Sequence, residues 1–362
     1  MHQRHTFPVL SCLVFSRVLC WCNGGQDIIG DGNTGEEAPE AIDIPIEDAL
    51  PDDLAEDEML VHDEDMDIPD IEEEEDMPWS WADVSAGTFS TCSIDSSASL
   101  WCWGGNGYGE LGDGTNESKH WPIMVNDDAG WADIILDGAL SCGTGTGGVL
   151  WCWGKNSSGQ VGDGTTEDRN MPVLIEPGSA WIAVDPGTLF TCGIEHDGTL
   201  WCWGKNDLGQ LGNETYEDRT TPGRSGTGTD WVSIAAGGYH ACGIKTDGTF
   251  WCWGDNEYGQ LGDGTTGSRN TPVRVGSDDA WLAAAAGDMH SCGIKTNGTL
   301  WCWGVNASGQ LGHGTFGMGT RTPARVGEDT DWQHVATGNS FTCGIKTDAT
   351  LWCWGGNSEG QL

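Results

Sequence analysis

Short apolar runs separated by turn residues recur along most of the chain. Between residues 231 and 275 there are four such runs, WVSIAAG, HACGIK, TFWCWG and TPVRV, with Gly, Asp, Asn and Ser between them. Each run has the length of a β-strand. The runs are apolar at consecutive positions and do not alternate, which predicts strands of a sheet that is covered on both faces.

The same unit is present six times. WCWG begins at Trp101, Trp151, Trp201, Trp251, Trp301 and Trp352, and a further tryptophan precedes each by 20 residues, at Trp81, Trp131, Trp181, Trp231, Trp281 and Trp332. A fixed period near 50 residues indicates a repeat architecture. Four strands per repeat predict an all-β fold, a β-propeller of four-stranded blades with six repeats visible.

Each repeat also contains two cysteines ten residues apart. In the third repeat the turn His196-Asp197-Gly198 predicts a three-residue hairpin loop with glycine in the left-handed region. That register makes Cys192 face Cys202 in a non-hydrogen-bonded pair, with Cα atoms about 4.5 Å apart, close enough for a disulfide. We therefore expect six bridges, which pair Cys92 with Cys102, Cys142 with Cys152, Cys192 with Cys202, Cys242 with Cys252, Cys292 with Cys302 and Cys343 with Cys353.

Two alternatives to these bridges remain. Buried free thiols can serve as small apolar residues. A zinc site is disfavoured because no second close pair of Cys or His accompanies either cysteine. The two tryptophans of WCWG lie on the face opposite the cysteine, and we expect them to pack against the next blade with the tryptophan 20 residues upstream. The position of Gly198 is Ala98 in the first repeat and Ala349 in the sixth, where a left-handed backbone costs about 1 kcal/mol.

The chain divides into three parts. Residues 1–26 combine basic residues with an apolar run, which is typical of an export signal, and Cys22 is a candidate lipid anchor of lipoprotein type. Residues 27–78 contain 23 Asp and Glu and no Lys or Arg, so we expect a disordered acidic linker. Residues 79–362 hold the repeats. No apolar stretch is long enough to span a membrane, and the formal net charge of −41 argues against nucleic acid as a partner.

The strings GKNSSGQVGDGT (Gly154–Thr165) and GDNEYGQLGDGT (Gly254–Thr265), with His240, His290 and TPVRV, resemble the regulator of chromosome condensation repeat family. The resemblance covers residues 79–362 and implies a β-propeller, commonly seven-bladed. The family includes a nuclear exchange factor for the GTPase Ran and bacterial binding proteins. The acidic surface, the export-like leader and the paired cysteines argue against Ran exchange. The chain stops at GQL, where earlier repeats continue into a fourth strand, and we expect a C-terminal truncation.

No catalytic, metal or cofactor site emerges from comparison of the repeats. Asp113, Asp163 and Asp263 lie in LGDGT loops, but Asn213 and His313 replace them elsewhere, so we interpret them as turn formers and not as calcium ligands. The Asn and Gln of the GxNxxGQ strings are expected to satisfy backbone groups of the loop. His240 and His290 occupy equivalent positions, which favours structural roles.

Positions that vary between repeats are the candidates for binding, because such loops gather at the rims of a propeller. They form two sets: Tyr108, Leu208 and Tyr258 after WCWG, and Phe89, Phe190, Tyr239, Met289 and Phe341 before the first cysteine. These residues predict a non-enzymatic, exported scaffold that binds a protein or glycan partner. The alternatives are a guanine nucleotide exchange factor or GTPase regulator, and the non-catalytic part of a larger secreted protein.

Overall fold

The computed structural model describes residues 80–125, 129–175 and 180–362. The expected export leader, the candidate lipid anchor Cys22 and the acidic linker lie outside the described residues. Within the described ranges the structure consists of strands, turns and loops, with no helix.

Twenty-three strands are present in the described part of the chain: β1 (Trp81–Ala86), β2 (Ser90–Asp95), β3 (Leu100–Gly104), β4 (Lys119–Val125), β5 (Trp131–Asp137), β6 (Leu140–Gly145), β7 (Val149–Gly154), β8 (Arg169–Ile175), β9 (Trp181–Pro186), β10 (Phe190–Glu195), β11 (Leu200–Gly204), β12 (Arg219–Arg224), β13 (Trp231–Ala236), β14 (His240–Lys245), β15 (Phe250–Gly254), β16 (Arg269–Arg274), β17 (Trp281–Ala286), β18 (His290–Lys295), β19 (Leu300–Asn306), β20 (Gly317–Arg325), β21 (Trp332–Thr337), β22 (Phe341–Lys346) and β23 (Leu351–Gly355).

The strands form six antiparallel sheets in which neighbours in sequence are neighbours in space. The first five sheets have four strands each, beginning with β1-β2-β3-β4, and the sixth has three, β21-β22-β23. The first strands of consecutive sheets contact one another, so they form the innermost layer. The expected β-propeller of four-stranded blades is confirmed, with six blades. The expected C-terminal truncation stays a prediction.

This meander places the loops at two opposite ends of each blade. In the first blade, residues 87–89 join β1 to β2 and residues 105–118 join β3 to β4, both at one end, which we call the upper face. The hairpin turn between β2 and β3, residues 96–99, lies at the other end, which we call the lower face. The same assignment holds for the equivalent loops of every blade.

The hairpin register in the third blade is the predicted one. Gly198 N–H donates to the carbonyl of Glu195 (2.9 Å), Glu195 N–H donates to Thr199 O (3.1 Å), and Cys192 lies opposite Cys202. All six cysteine pairs are disulfide-bonded, with Cα atoms 4.0–4.1 Å apart. The structure therefore contains the six expected bridges, each of which ties the second strand of a blade to the third.

Each blade packs its cysteine face against the tryptophan face of the blade that follows. The core between the first two blades joins Cys92 and Leu100 to Trp131 and Trp153. The Trp131 and Trp153 rings meet edge to face, 5.7 Å apart. The expected packing of the tryptophans against the next blade is therefore wrong in direction, because they contact the preceding blade. Alternation along a strand assigns a residue to a face but does not say which neighbour that face meets.

A glycine and a carbonyl complete this interface between blades. The Trp203 indole N–H of the third blade donates to the carbonyl of Gln160 in the second (2.9 Å). Gly162, with φ +91°, lies so close that an added Cβ would be 2.5 Å from Trp203 Nε1. The same donation recurs from Trp153, Trp253, Trp303 and Trp354. The repeated LG dipeptide is thus explained by the indole that lies against it.

Candidate binding surface on the upper face

Backbone hydrogen bonds bring the two predicted sets of variable residues to the upper face. The residue after WCWG donates its N–H to the residue that ends the first loop of the same blade. Gly105 pairs in this way with Phe89 (2.7 Å), Lys205 with Leu189 (2.9 Å) and Asp255 with Tyr239 (3.0 Å). The loops before the first cysteine and after WCWG are therefore adjacent in each blade.

Large apolar side chains from both sets are exposed on this face. Phe89 is 77% exposed, Tyr108 43% and Tyr258 45%. Leu208, Tyr239 and Met289 are half-buried. Phe341 is half-buried as well, so the structure places seven of the eight candidates where a partner can reach at least part of the side chain.

Phe190 is an exception, because it is fully buried in the core of the third blade. Its proposed role as a contact is wrong. Phe190 and Phe341 occupy the position of His240 and His290 at the start of the second strand, and Phe341 is half-buried. The residue of the third blade that corresponds to Phe89 is Leu189, which is half-buried. Aligning the loops on the cysteine could have identified it from the sequence.

The loops of the upper face are held by the repeated Asn and Gln, as expected. In the second blade Asn156 Nδ2 donates to the carbonyls of Thr165 (3.2 Å) and Glu167 (2.9 Å). Asn156 Oδ1 accepts from Val161 N–H (2.9 Å), and Gln160 Oε1 accepts from the backbone N–H of the residue two before it (2.8 Å). The asparagine side chain and the glutamine oxygen are therefore internal supports of the loop.

The aspartates of the LGDGT loops are turn formers. Asp163 accepts hydrogen bonds from Thr165 N–H (2.9 Å) and Thr165 Oγ1 (2.7 Å) and forms an ion pair with Arg169. Burial acts to raise the pKa of Asp163, but these hydrogen bonds and the Arg169 charge outweigh it and lower the pKa below its usual value. Among the described residues no group of three or more His, Cys, Asp or Glu side chains is placed to hold a metal ion.

The two repeated histidines are core residues. His240 Nε2 lies 2.8 Å from Ser291 Oγ, and this hydroxyl donates to the carbonyl of Gln260 (2.8 Å). The single hydroxyl proton is used in that bond, so the histidine is the donor and its Nδ1 carries no proton. Burial lowers the pKa of both His240 and His290 to about 3. Their expected structural role is confirmed.

Sequence reasoning missed a pair of carboxyl groups on the innermost strands. Asp83 on β1 and Asp133 on β5 share a hydrogen bond between the first two blades. Burial, and then the Asp83 charge, raise the pKa of Asp133 to about 7. The signal was available, because both aspartates lie two residues after the upstream tryptophan of their repeats.

A comparison with protein families decides the relationship of this chain. The model of the RCC1-like domain matches residues 84–362, which include all six blades. The chain belongs to the RCC1-like domain family. No curated protein matches it significantly in sequence.

Solved structures similar to this RCC1-like propeller show the same fold. Yeast RCC1 (Prp20) bound to Kap60 is 19% identical, with a TM-score of 0.68 over 76% of this chain and 70% of that one. Human WBSCR16 is 19% identical, with a TM-score of 0.69 and 77% of both chains covered. The ectodomain of the Physcomitrella patens receptor kinase CR4 is 19% identical, with a TM-score of 0.51 over 78% of this chain and 66% of that one. At these identities the likeness concerns the fold alone.

The lower face of this RCC1-like propeller repeats one polar hairpin turn in its last four blades. In these turns an aspartate or asparagine side chain accepts from the threonine two residues later, as Asp197 does from Thr199 N–H (3.0 Å) and Asp247 from Thr249 N–H (3.0 Å). The upper face instead varies from blade to blade. No helix in the described ranges has the length and apolarity needed to cross a membrane.

Proposed function

We propose that this RCC1-like propeller is an exported, non-enzymatic binding protein that holds a protein partner on its upper face. The observation that carries the proposal is the contrast between the two faces. Exposed aromatic side chains at Phe89, Tyr108 and Tyr258 project from the upper face, whereas the lower-face turns of the last four blades repeat one polar pattern. Exposed aromatic residues on a rigid scaffold are typical anchors of protein interfaces.

The six disulfides support the exported location. Such bonds form and persist in oxidising compartments and are rare in the cytosol and nucleus. In this proposal residues 1–26 direct export, Cys22 provides a lipid anchor, and residues 27–78 act as an acidic tether between the anchor and the propeller.

The exchange-factor alternative is not favoured by these residues. Prp20p is described with binding properties to Gsp1p and histones, but this chain shares only its fold. Residues 79–362 contain 33 acidic and 13 basic side chains, a net charge of −20, and a nuclear protein would not keep six disulfides oxidised.

Capture of the partner from the exterior of the producing cells tests the proposal. The full chain, purified with its disulfides intact, is immobilised and exposed to the secreted and surface fraction, and bound material is quantified by mass spectrometry. Tyr108→Ser combined with Tyr258→Ser is expected to reduce retention of the partner at least about tenfold, as loss of two interface anchors does.

The matched control removes apolar side chains of similar exposure outside the upper face. Met124 and Leu174, on the outer strands β4 and β8, are 49% and 36% exposed. Met124→Ser combined with Leu174→Ser is expected to leave retention unchanged. Equal loss of retention in both double variants would contradict a binding role for the upper face. If retention survives protease treatment of the secreted and surface fraction but not glycosidase treatment, the partner is a glycan and not a protein.

A further inference from the structure

A buried glutamine in the second, third and fourth blades presents its amide to one position on the upper face. Gln160 Oε1 accepts from Ser158 N–H (2.8 Å), Gln210 Oε1 from Leu208 N–H (2.9 Å) and Gln260 Oε1 from the equivalent N–H of its own blade (3.0 Å). A backbone N–H can donate only to the oxygen, so this bond fixes which way each amide faces. The NH₂ group then faces the residue that follows WCWG.

The fourth blade shows what this amide binds. Asp255 follows WCWG there, and its Oδ2 accepts from Gln260 Nε2 at 2.8 Å. The carboxylate is thus held by an amide N–H at a half-buried position on the upper face. A hydrogen bond to a charged acceptor is stronger than one between neutral groups.

The second and third blades lack this carboxylate. Lys155 and Lys205 take the place of Asp255, with the same backbone hydrogen bonds to the neighbouring loop, from Lys155 N–H to Ala139 O and from Lys205 N–H to Leu189 O (2.9 Å each). Lysine offers no acceptor. Gln160 Nε2 and Gln210 Nε2 accordingly have no partner, although both side chains are 0% exposed. A buried N–H without a partner destabilises the fold.

The Lys155 side chain turns away from Gln160. Its Nζ lies over the ring of Tyr108 in the first blade, 5.3 Å from the centroid. Around the equivalent position the second blade thus has a lysine that contacts an aromatic ring, a glutamine with an unpaired amide, and Asp168, which accepts from Asn156 N–H (2.7 Å). In the third blade the Lys205 ammonium lies 3.2 Å from Asp218, whose side chain is 45% exposed, and such an open ion pair is weak.

We propose that the second blade, and more weakly the third, binds a carboxylate side chain of the partner protein between the lysine ammonium and the glutamine amide. In the fourth blade the carboxylate of Asp255 makes the same contact with Gln260 from within the chain. This inference rests on the proposed function, since it names the chemistry by which the upper face recognises its partner.

The acidic residues 27–78 of the chain itself are a second source of carboxylates. They carry 23 negative charges, and the propeller carries a net charge of −20. A long acidic segment is repelled by the whole domain, whereas a folded partner can present one or two carboxylates at Lys155 without bringing the rest of that charge. A partner protein is therefore the occupant that the charges favour.

Titration of a small carboxylate while observing the glutamine amides tests the site. The full chain is labelled with ¹⁵N-glutamine, and N-acetyl-glutamate amide is added at constant ionic strength. The Gln160 side-chain amide signal is expected to shift most, that of Gln210 less, and that of Gln260 to stay unchanged because Asp255 already occupies it. N-acetyl-glutamine amide is the uncharged control and is expected to bind at least about tenfold more weakly.

Two variants keep this test decisive. Lys155→Asp combined with Asp168→Ser copies the fourth blade, where Asp255 accepts from Ser268, and therefore folds. Its Gln160 signal is expected to move to the Gln260 position before any ligand is added and to respond no further. Lys155→Met, which removes only the charge, is expected to weaken binding at least about tenfold.

Equal shifts with the glutamate and glutamine probes, or no shift of Gln160, would overturn the inference and leave the proposed function standing on Tyr108 and Tyr258. A third outcome concerns the source of the carboxylate. If neutralising the 23 acidic residues of 27–78 moves the Gln160 signal of the unliganded chain, the chain's own segment fills the site and a partner's carboxylate does not.

Discussion

Replacement of His240 and His290 by phenylalanine is expected to remove a large part of the acid sensitivity of the fold. Both side chains are 0% exposed, and each Nε2 donates to a hydroxyl of the following blade, Ser291 at 2.8 Å and Thr342 at 2.9 Å. Burial holds the pKa of both near 3, against about 6.5 in an unfolded chain.

The chain itself shows that phenylalanine fits this position. Phe190 in the third blade packs over Gly187, where an added Cβ would lie 2.7 Å from its Cε1, and His240 packs over Gly237 with a corresponding distance of 2.9 Å. The substitution therefore keeps the shape of the interface and removes only the titrating group and one hydrogen bond.

The magnitude follows from linkage. Between pH 6.5 and about 3 the unfolded chain binds a proton at each histidine that the folded chain does not, so stability falls as the pH falls. Between pH 8 and pH 5 each histidine lowers the free energy of unfolding by about 2 kcal/mol, and the two together lower it by about 4 kcal/mol. Asp133 acts in the opposite sense, because its pKa is raised to about 7. The difference between the variant and the wild type isolates the histidines.

Urea unfolding at pH 8, 6.5 and 5, followed by tryptophan fluorescence with the disulfides intact, measures this difference. Loss of the two hydrogen bonds lowers the free energy of unfolding of the variant by the same amount at every pH. Relative to the wild type, the variant is expected to gain about 4 kcal/mol between pH 8 and pH 5. A variant that loses stability in parallel with the wild type would refute the reasoning, as would titration of the His240 or His290 imidazole near pH 6 in the folded protein.

Further predictions concern the hairpins, the interface between blades and the inner strands. Peptide mapping without reduction, with thiols blocked, is expected to give six bridges at the ten-residue spacing, and free thiols would contradict the exported location. Ala98→Gly and Ala349→Gly, at φ 64° and 65°, are each expected to stabilise by about 1 kcal/mol in urea unfolding; a loss of stability would refute the strain. Gly162→Ala is expected to cost at least about 2 kcal/mol more than Gly164→Ala, because both have positive φ but only the first meets an indole; equal costs would refute that contact. The wild type is expected to lose about 1 kcal/mol of unfolding free energy between pH 6 and pH 8, because the raised pKa of Asp133 stabilises the fold only below about pH 7. Asp133→Ala is expected to abolish this loss, and a variant with the wild-type pH profile would refute the role of Asp133.

The candidate surface was predicted in part. The sequence identified variable loops, and the structure places Tyr108, Tyr258 and Phe89 on one exposed face. It did not separate Phe190 from these, because a buried and an exposed aromatic look alike in a loop whose length varies between repeats. The carboxylate site at Gln160 was also missed, since an unsatisfied amide is visible only when its surroundings are known.

The sequence by itself determined the architecture and the bridges. A period near 50 residues and four strand-like runs per repeat predicted the blades, and the turn around Gly198 set the register that pairs Cys192 with Cys202. These features are local, and local backbone geometry follows from residue type and spacing. Only the tertiary structure decided which blade each face meets, so that Trp203 contacts Gln160 of the preceding blade and not the next one. That contact joins groups 43 residues apart, which no short stretch of sequence encodes. The tertiary structure also decided which amides remain unpaired, because the burial of an amide depends on everything that packs around it.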